Sequence, residues 1–152
     1  MSQPTPADPQ FAQRVRDSFG RQSAMATIGA RLESVEPGRV VIVLPHAGHI
    51  TQQHGFVHAG MVSTALDSAC GYAASSLMPA DAGVLTIEFK VNLLAPAKGP
   101  LIRCEGQVTK AGRTISVVDG RAWQHDDGGQ PRLVATMTAT VMTITGREDV
   151  RH

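Results

Sequence analysis

The chain of 152 residues is poor in aromatic residues and carries no excess of charge of either sign. Aromatic residues make up 4% of the sequence, and the net charge is +1 with acidic and basic residues interspersed. Binding of nucleic acid or of an anionic membrane needs a basic field, and base stacking needs aromatic side chains. We therefore expect neither kind of partner.

Long hydrophobic runs are also absent. No window approaches the ~20 apolar residues of a membrane-spanning helix. The N-terminal stretch MSQPTPADPQ has neither the basic nor the apolar region of a secretory signal. Only two cysteines occur, Cys70 and Cys104, without metal-binding spacing, and we expect buried free thiols of the kind found in a reducing cytosol. These absences predict a cytoplasmic protein without a membrane span.

The length suits one compact domain. Residues 1–8 and 146–152 are polar, and we expect both ends to be flexible around a single domain of residues 9–145. A short amphipathic helix is predicted from Phe11, Val15 and Phe19, which recur at helical spacing.

The rest of the chain predicts an α+β fold. A hairpin of roughly residues 26–45 turns at Glu36-Pro37-Gly38, a long helix covers residues 57–79, and four strands follow. A single helix can bury a large antiparallel sheet only if the sheet curls around it. We therefore expect a strongly curved antiparallel sheet wrapped around one long central helix.

The central helix, VHAGMVSTALDSACGYAASSLMP, contains one charged residue, Asp67. At 100° per residue, one face should meet the sheet, and it consists of Val62, Ala65, Leu66, Ala69, Ala73, Ser76 and Leu77. Asp67 lies on the opposite face, which is otherwise small and neutral: Ser63, Thr64, Gly71, Ala74 and Met78. Such a face favours close approach by a second copy of the chain, although a surface aspartate on a bland helix is the simpler alternative.

The start of this helix offers a site for an oxygen that develops negative charge. The first N–H groups of a helix lack internal acceptors and carry partial positive charge, and here they belong to Ala59 and Gly60. Asp67 follows Ala59 by eight residues, or about 12 Å at ~1.5 Å per residue. If both act on one substrate, the acid must therefore come from a neighbouring subunit.

At these residues the sequence resembles a known family. HAGMVSTALD is similar to the signature of PaaI-like hotdog-fold acyl-CoA thioesterases, in which an acid follows a His-Gly-Gly motif by nine positions, as Asp67 follows His58. The resemblance covers roughly residues 25–145 and includes TIEFKVNLLAPAKG and KAGRT. It implies a hotdog fold and a homo-oligomer, a dimer of dimers, that hydrolyses acyl-CoA, with the bacterial medium- and long-chain branch as the nearest match.

The resemblance also implies roles for individual residues. Asp67 would be the nucleophile or the general base, and the Ala59 N–H, supported by Gly60, would bind the thioester oxygen. His58 would hold the loop and the substrate. Gln52, or Gln53, would replace the usual Asn, and Thr86 would position water; the family's first Gly is Ala59 here.

Coenzyme A itself would lie along a hairpin formed by Lys110, Ala111, Gly112, Arg113, Thr114 and Ile115. Plain surface solvation is the alternative for Lys110 and Arg113. No metal or other cofactor is expected, since His54 and His58 have no nearby acid or thiol to complete a site. A non-hydrolytic acyl-CoA or acyl-carrier binding module and a hotdog dehydratase remain competing functions, and the acyl group is open between aliphatic and aromatic.

Overall fold

A computed structural model describes residues 2–151 of the chain. Its elements follow one another in the order α1 Phe11–Arg21, α2 Ser23–Ile28, β1 Arg31–Glu36, β2 Arg39–Pro45, α3 Ala59–Ser75, β3 Gly83–Leu93, β4 Leu101–Lys110, β5 Ile115–His125 and β6 Arg132–Ile144, with a short 3₁₀ turn at Gly48–Ile50 before α3.

The six strands form one antiparallel sheet in the order β1-β2-β4-β5-β6-β3. Helix α3 packs against β2 through β6, and one cluster of buried residues joins the helix to the inner face of the sheet. The predicted α+β architecture, a curved sheet around one central helix, is therefore confirmed.

Two glycines let α3 lie directly on the strands. Gly106 of β4 and Gly120 of β5 are paired across the sheet. A Cβ at Gly106 would lie 2.4 Å from the backbone oxygen of Ala69, and one at Gly120 would lie 3.0 Å from Sγ of Cys70. Any larger residue at Gly106 would therefore push the helix away from the sheet.

The first hairpin begins later than the sequence predicts. Residues 23–28 form α2 instead of a strand, and the helix ends at Gly29, whose φ is 75°. Met25 and Ile28, one helical turn apart, are 1% and 5% exposed. Burial of this helical face overrides the strand preference of the β-branched Thr27 and Ile28, so β1 starts at Arg31.

Helix α1 is attached to α3 by three polar contacts, each about one turn from the next. The guanidinium of Arg14 donates to Oγ of Ser75 at 3.2 Å and to the Ser75 carbonyl at 3.2 Å. The hydroxyls of Ser18 and Tyr72 lie 3.2 Å apart. The Ser68 hydroxyl donates to Oε1 of Gln22 at 3.0 Å. We call these three pairs, Arg14–Ser75, Ser18–Tyr72 and Gln22–Ser68, the α1–α3 ladder.

Part of the second face of α3, beside the α1–α3 ladder, is covered by the chain itself. Gly71 and Ala74, predicted to face another copy, are buried within the single chain. Ser63, Thr64 and Asp67, nearer the start of the helix, are only half-buried. Only this first half of the face is thus left for a second subunit.

Both chain ends make contacts with the domain. The Ala7 N–H donates to the Leu77 carbonyl at 3.4 Å, and Asp8 is ion-paired with Arg14 at 2.9 Å. Near the other end, the Val150 carbonyl lies against Gly83 so closely that a Cβ there would sit 2.3 Å away. The flexibility of residues 1–8 and 146–152 stays a prediction.

Cys70 and Cys104 are buried free thiols, as expected. Burial raises the pKa of the Cys70 thiol and raises the pKa of Cys104 to about 12. Both groups are therefore protonated at neutral pH and act as small apolar side chains of the core.

Substitution of Gly106 tests the contact between helix and sheet. We expect Gly106→Ala to lower the free energy of unfolding by about 3 kcal/mol, because the new methyl group meets backbone and not a flexible side chain. Urea denaturation measures the change.

Gly20→Ala is the matched control. No atom lies within 4 Å of a Cβ at this α1 position, so the substitution should raise stability by about 0.5–1 kcal/mol through helix propensity. Equal stability of the two variants would contradict the close approach of α3 to Gly106.

Candidate active site

The first turn of α3 is fixed by its own N-cap. His58 precedes the helix with extended backbone, and its Nδ1 accepts a hydrogen bond from the Gly60 N–H at 2.9 Å. The loop before it is held by hydrogen bonds from the Val57 N–H to the Ala97 carbonyl and from the His58 N–H to the Ile50 carbonyl. Because Nδ1 is the acceptor, the neutral ring of His58 carries its proton on Nε2.

The Ala59 N–H is the open donor at this helix start. Within residues 2–151 no group accepts a hydrogen bond from it, whereas the Gly60 N–H is already bonded to His58. Ala59 lines a cavity of about 570 Å³ together with residues that include Gln52, His58 and Leu93. The geometry suits one carbonyl oxygen or anion at the positive end of the helix.

Of the two candidate glutamines, Gln52 lines this cavity and Gln53 does not. The Gln52 side chain closes its own turn, because its Oε1 accepts from the His54 N–H. The Gln53 amide lies 3.4 Å from Nε2 of His54 on the exposed side of the loop. Gln52 is therefore the glutamine that shares the cavity with the Ala59 amide, with its NH₂ group left as a donor.

Asp67 lies in a different cleft, of about 240 Å³, together with Thr86. The Thr86 hydroxyl donates to Oδ1 of Asp67 at 2.7 Å. Partial burial raises the pKa of the Asp67 carboxyl, and the hydrogen bond from Thr86 offsets part of that rise. The pair thus forms an oriented and partly desolvated carboxylate.

A β-bulge at Ile87 places Thr86 and Phe89 on the same side of β3, towards the helix. The register of β3 shifts between Thr86, opposite Val141, and Glu88, opposite Thr140, and leaves Ile87 as the extra residue. Phe89 then lies opposite Ala139. Val141 and Ala139 are both fully buried in the core, so Thr86 and Phe89 share the helix-facing side although they are three residues apart.

The structure does not bring the acid and the amide together within one chain. Both lie on the continuous helix Ala59–Ser75, so about 12 Å separates their backbones at ~1.5 Å per residue. The cavity at Ala59 and the cleft at Asp67 have no lining residue in common.

The predicted coenzyme A hairpin lies at the other end of α3. It joins β4 to β5, and residues 111–114 line a cavity of about 510 Å³ with Leu77, Met78 and Pro79. Lys110 and Arg113 are exposed beside it. The hairpin is therefore remote from Ala59 of the same chain and nearer to Asp67.

Sequence reasoning missed three polar residues that line the Asp67 cleft, Gln22, Ser68 and Tyr72. Gln22 is brought there by α1, through the α1–α3 ladder. The available signal was the polar stripe Arg14, Ser18 and Gln22, which recurs every four residues beside the apolar stripe of α1.

Among residues 2–151, no three His, Cys, Asp or Glu side chains are grouped so that they could hold a metal ion. Over the same residues, no helix has the length and apolar character that crossing a membrane requires.

Solved structures share this fold. A thioesterase family protein from Silicibacter pomeroyi is 55% identical, with 90% of this chain and 99% of that chain covered and a TM-score of 0.87. The PaaI protein from the phenylacetic acid degradation operon of E. coli is 18% identical over 90% of this chain and 95% of its own, with a TM-score of 0.80. The hotdog fold and the likeness to PaaI-like proteins are thus confirmed.

Curated relatives match part of the chain. A Saccharolobus solfataricus protein named as an esterase is 34% identical over 60% of this chain. A 1,4-dihydroxy-2-naphthoyl-CoA hydrolase from Listeria monocytogenes is 26% identical over 60% of this chain and 74% of its own length. The match spans about two thirds, 65%, of the length of the Saccharolobus relative.

The family-level match covers half of the chain. The sequence model of the thioesterase superfamily matches residues 54–130, a range that contains the Ala59 amide, Asp67, Thr86 and the β4–β5 hairpin. With the fold and the relatives, this match shows that the chain belongs to the thioesterase superfamily.

Proposed function

We propose that this protein hydrolyses the thioester bond of an acyl-coenzyme A at a site shared by two copies of the chain. The observation that carries the proposal is the pairing of an open helix amide at Ala59 with an oriented carboxylate at Asp67, about 12 Å further along one rigid helix. Membership of the thioesterase superfamily and the name of the Listeria relative support the choice of a coenzyme A thioester.

The second copy would pair along β3. This strand ends the sheet, and it carries large apolar side chains that are 44–55% exposed: Leu85, Ile87, Phe89 and Leu93. A long apolar edge strand invites pairing with another chain. Antiparallel pairing of two β3 strands about a twofold axis would cover these side chains and set the two α3 helices side by side. Two such dimers would form the dimer of dimers that the resemblance implies.

In this dimer, each site would take its amide from one chain and its acid from the other. The thioester oxygen accepts a hydrogen bond from the Ala59 N–H, which favours the negative charge that develops as the carbonyl carbon is attacked. Asp67 of the other chain either attacks that carbon or takes a proton from the attacking water. In the first route, the coenzyme A thiolate leaves and water cleaves the anhydride formed with Asp67, which releases the carboxylic acid. In the second route, the tetrahedral intermediate expels the thiolate, and the proton held by Asp67 passes to the leaving sulfur.

Neighbouring groups would position the reacting ones. Thr86 gives its only hydroxyl proton to Asp67, so we assign it the task of orienting the carboxylate. His58 fixes the first turn of α3, and Gln52 offers its NH₂ group to the substrate or to water. The exposed cations Lys110 and Arg113 on the hairpin suit the phosphates of coenzyme A.

Removal of the carboxylate tests the proposal. We expect Asp67→Asn to lower kcat roughly 10²- to 10⁴-fold, because the amide keeps the shape and the contact with Thr86 but can neither attack nor accept a proton. Thiol release is measured with a panel of short, long and aromatic acyl-CoA substrates. The control Asp119→Asn changes an exposed aspartate on β5 and should leave kcat unchanged.

Near-normal turnover by Asp67→Asn would contradict the assignment. Binding of acyl-CoA without hydrolysis of any substrate by the wild type would instead favour the non-hydrolytic binding module.

The pH dependence of the rate tests the link between Asp67 and Thr86. Only the ionised carboxylate acts, so kcat/KM should fall as the pH drops through the Asp67 pKa, which burial raises above the ordinary 3.8. Thr86→Val removes the hydrogen bond that lowers this pKa. We therefore expect the acidic limb of the profile to move to higher pH.

Thr140→Val is the control for this profile, because Thr140 faces Glu88 at 3.4 Å and not Asp67. An acidic limb that stays in place in Thr86→Val would rule out Asp67 as the titrating group.

The Ala59 amide can be deleted without disturbing the helix. Ala59 is the first residue of α3, where proline is well tolerated, and the extended backbone of His58 (ψ 136°) suits a residue before proline. Ala59→Pro removes the N–H, and we expect kcat to fall roughly 10²- to 10³-fold, as for loss of one oxyanion donor.

Mixed dimers test whether the site is shared. A dimer of one Asp67→Asn chain and one Ala59→Pro chain, isolated with two affinity tags, would contain one intact site out of two. We expect it to regain about half of the wild-type activity, since a twofold dimer has two equivalent sites. Mixed dimers as inactive as either parent would show that each site lies within one chain.

A further inference from the structure

We propose that Gln22 is the end wall of the acyl-binding cleft and so limits the size of the acyl group that the enzyme accepts. The inference rests on the proposed thioesterase function and adds to it a specificity-determining residue. Gln22 belongs to the N-terminal helices, outside residues 54–130 that match the superfamily.

The wall separates two neighbouring clefts. The cleft of about 240 Å³ holds Asp67 and Thr86. The next cleft, of about 330 Å³, lies between α1, the start of β3 and residues 149–151. Four residues line both clefts and form the partition between them: Gln22, Tyr72, Val84 and Leu85.

Within this partition, Gln22 is the residue whose side chain is hydrogen-bonded to Ser68, the neighbour of Asp67. Tyr72 is 4% exposed and is held by the Ser18 hydroxyl and the Phe19 ring. Val84 and Leu85 belong to β3 and are fixed by its pairing with β6. Gln22 lies between α1 and α2, where its side chain reaches across to the Ser68 hydroxyl at 3.0 Å.

The wall is held firmly in place. The Gln22 N–H donates to the Phe19 carbonyl at 3.1 Å, and the Met25 N–H donates to the Gln22 carbonyl at 3.0 Å. Arg14, whose side chain is 8% exposed, anchors the other end of α1 to the Ser75 and Met78 carbonyls. The carboxamide therefore stays beside Ser68, the residue that follows Asp67.

On this proposal the cleft is closed on the side of Gln22, which suits the acyl group and not coenzyme A. The pantetheine arm and nucleotide continue far beyond the sulfur atom and need an open path, whereas an acyl group ends. The cleft is smaller than the ~300–1,000 Å³ of pockets that enclose a whole drug-sized ligand. We therefore assign compact acyl groups, short chains or a single ring, to the side of Asp67 that faces Gln22.

Gly71 lines the same cleft from α3. It lines the cleft one turn beyond Asp67, and no atom lies within 4 Å of the position that its Cβ would take. A side chain added at Gly71 would therefore enter the cleft, whereas truncation of Gln22 would lengthen it. We therefore expect a larger residue at Gly71 to shorten the acyl chain that is accepted and a smaller residue at Gln22 to lengthen it.

The test uses kcat/KM for straight-chain acyl-CoA substrates of increasing length, measured for the wild type and four variants. Gln22→Ala joins the two clefts, and the longest substrate turned over efficiently should gain length. The ratio of kcat/KM for long against short chains should rise about fourfold for each further methylene that is buried. Gln22→Met keeps the volume without the hydrogen bond and should keep the wild-type limit.

Gly71→Leu should move the limit to shorter chains. The matched control is Gln13→Ala, which truncates an exposed glutamine of the neighbouring helix α1 and should leave the length profile unchanged. A wild-type length profile in Gln22→Ala would contradict the proposal that Gln22 limits the acyl length. Equal shifts of the length limit in Gln22→Ala and Gln22→Met would also contradict it.

Failure of the proposal for Gln22 can be distinguished from failure of the proposed thioesterase function. If the wild type hydrolyses no substrate of the panel, the thioesterase proposal fails. The dissociation constants of the same acyl-CoA series, measured by calorimetry, then test the wall independently. Tighter binding of long chains to Gln22→Ala, relative to wild type, supports it, and unchanged length dependence overturns it.

Discussion

The contact between α3 and the strands beneath it is the constraint on which the rest of the structure depends. Paired glycines at positions 106 and 120 bring the strand backbones against Ala69 and Cys70 in the middle of the helix. Because Ala59 and Asp67 lie on this one helix, its seat on the sheet fixes the position of both groups. The packing of the core therefore also determines the geometry of the candidate site.

On the proposed mechanism, a rigid helix also explains why one chain would hold only half of each site. The amide at its start and the carboxylate two turns later cannot converge, since helix geometry holds them about 12 Å apart. The apolar edge of β3 provides the means to bring in a second helix. On the proposed arrangement, association completes the catalytic groups and also covers the edge strand that would otherwise favour aggregation.

The features that could be predicted from the sequence are those that neighbouring residues along the chain determine. The sequence predicts the start of α3 near His58 and, from the need to bury the apolar face of the helix, a sheet around it. It does not predict the order of the strands within the sheet. Contacts between distant segments gave no such signal. The helical form of residues 23–28, the bulge at Ile87 and the cover of Gly71 by the chain itself each depend on tertiary packing that overrides local preference.

Hydrolysis and the selection of the acyl group are assigned to different parts of the chain, which the α1–α3 ladder connects. Ala59, Asp67 and Thr86 lie within the segment shared by the superfamily, while the proposed wall, Gln22, directly follows a helix that precedes that segment. Replacement of α1 in a related protein could alter which acyl groups fit without disturbing the carboxylate or the helix amide. The N-terminal helices would then act as an interchangeable module, through which one catalytic scaffold diversifies its range of substrates.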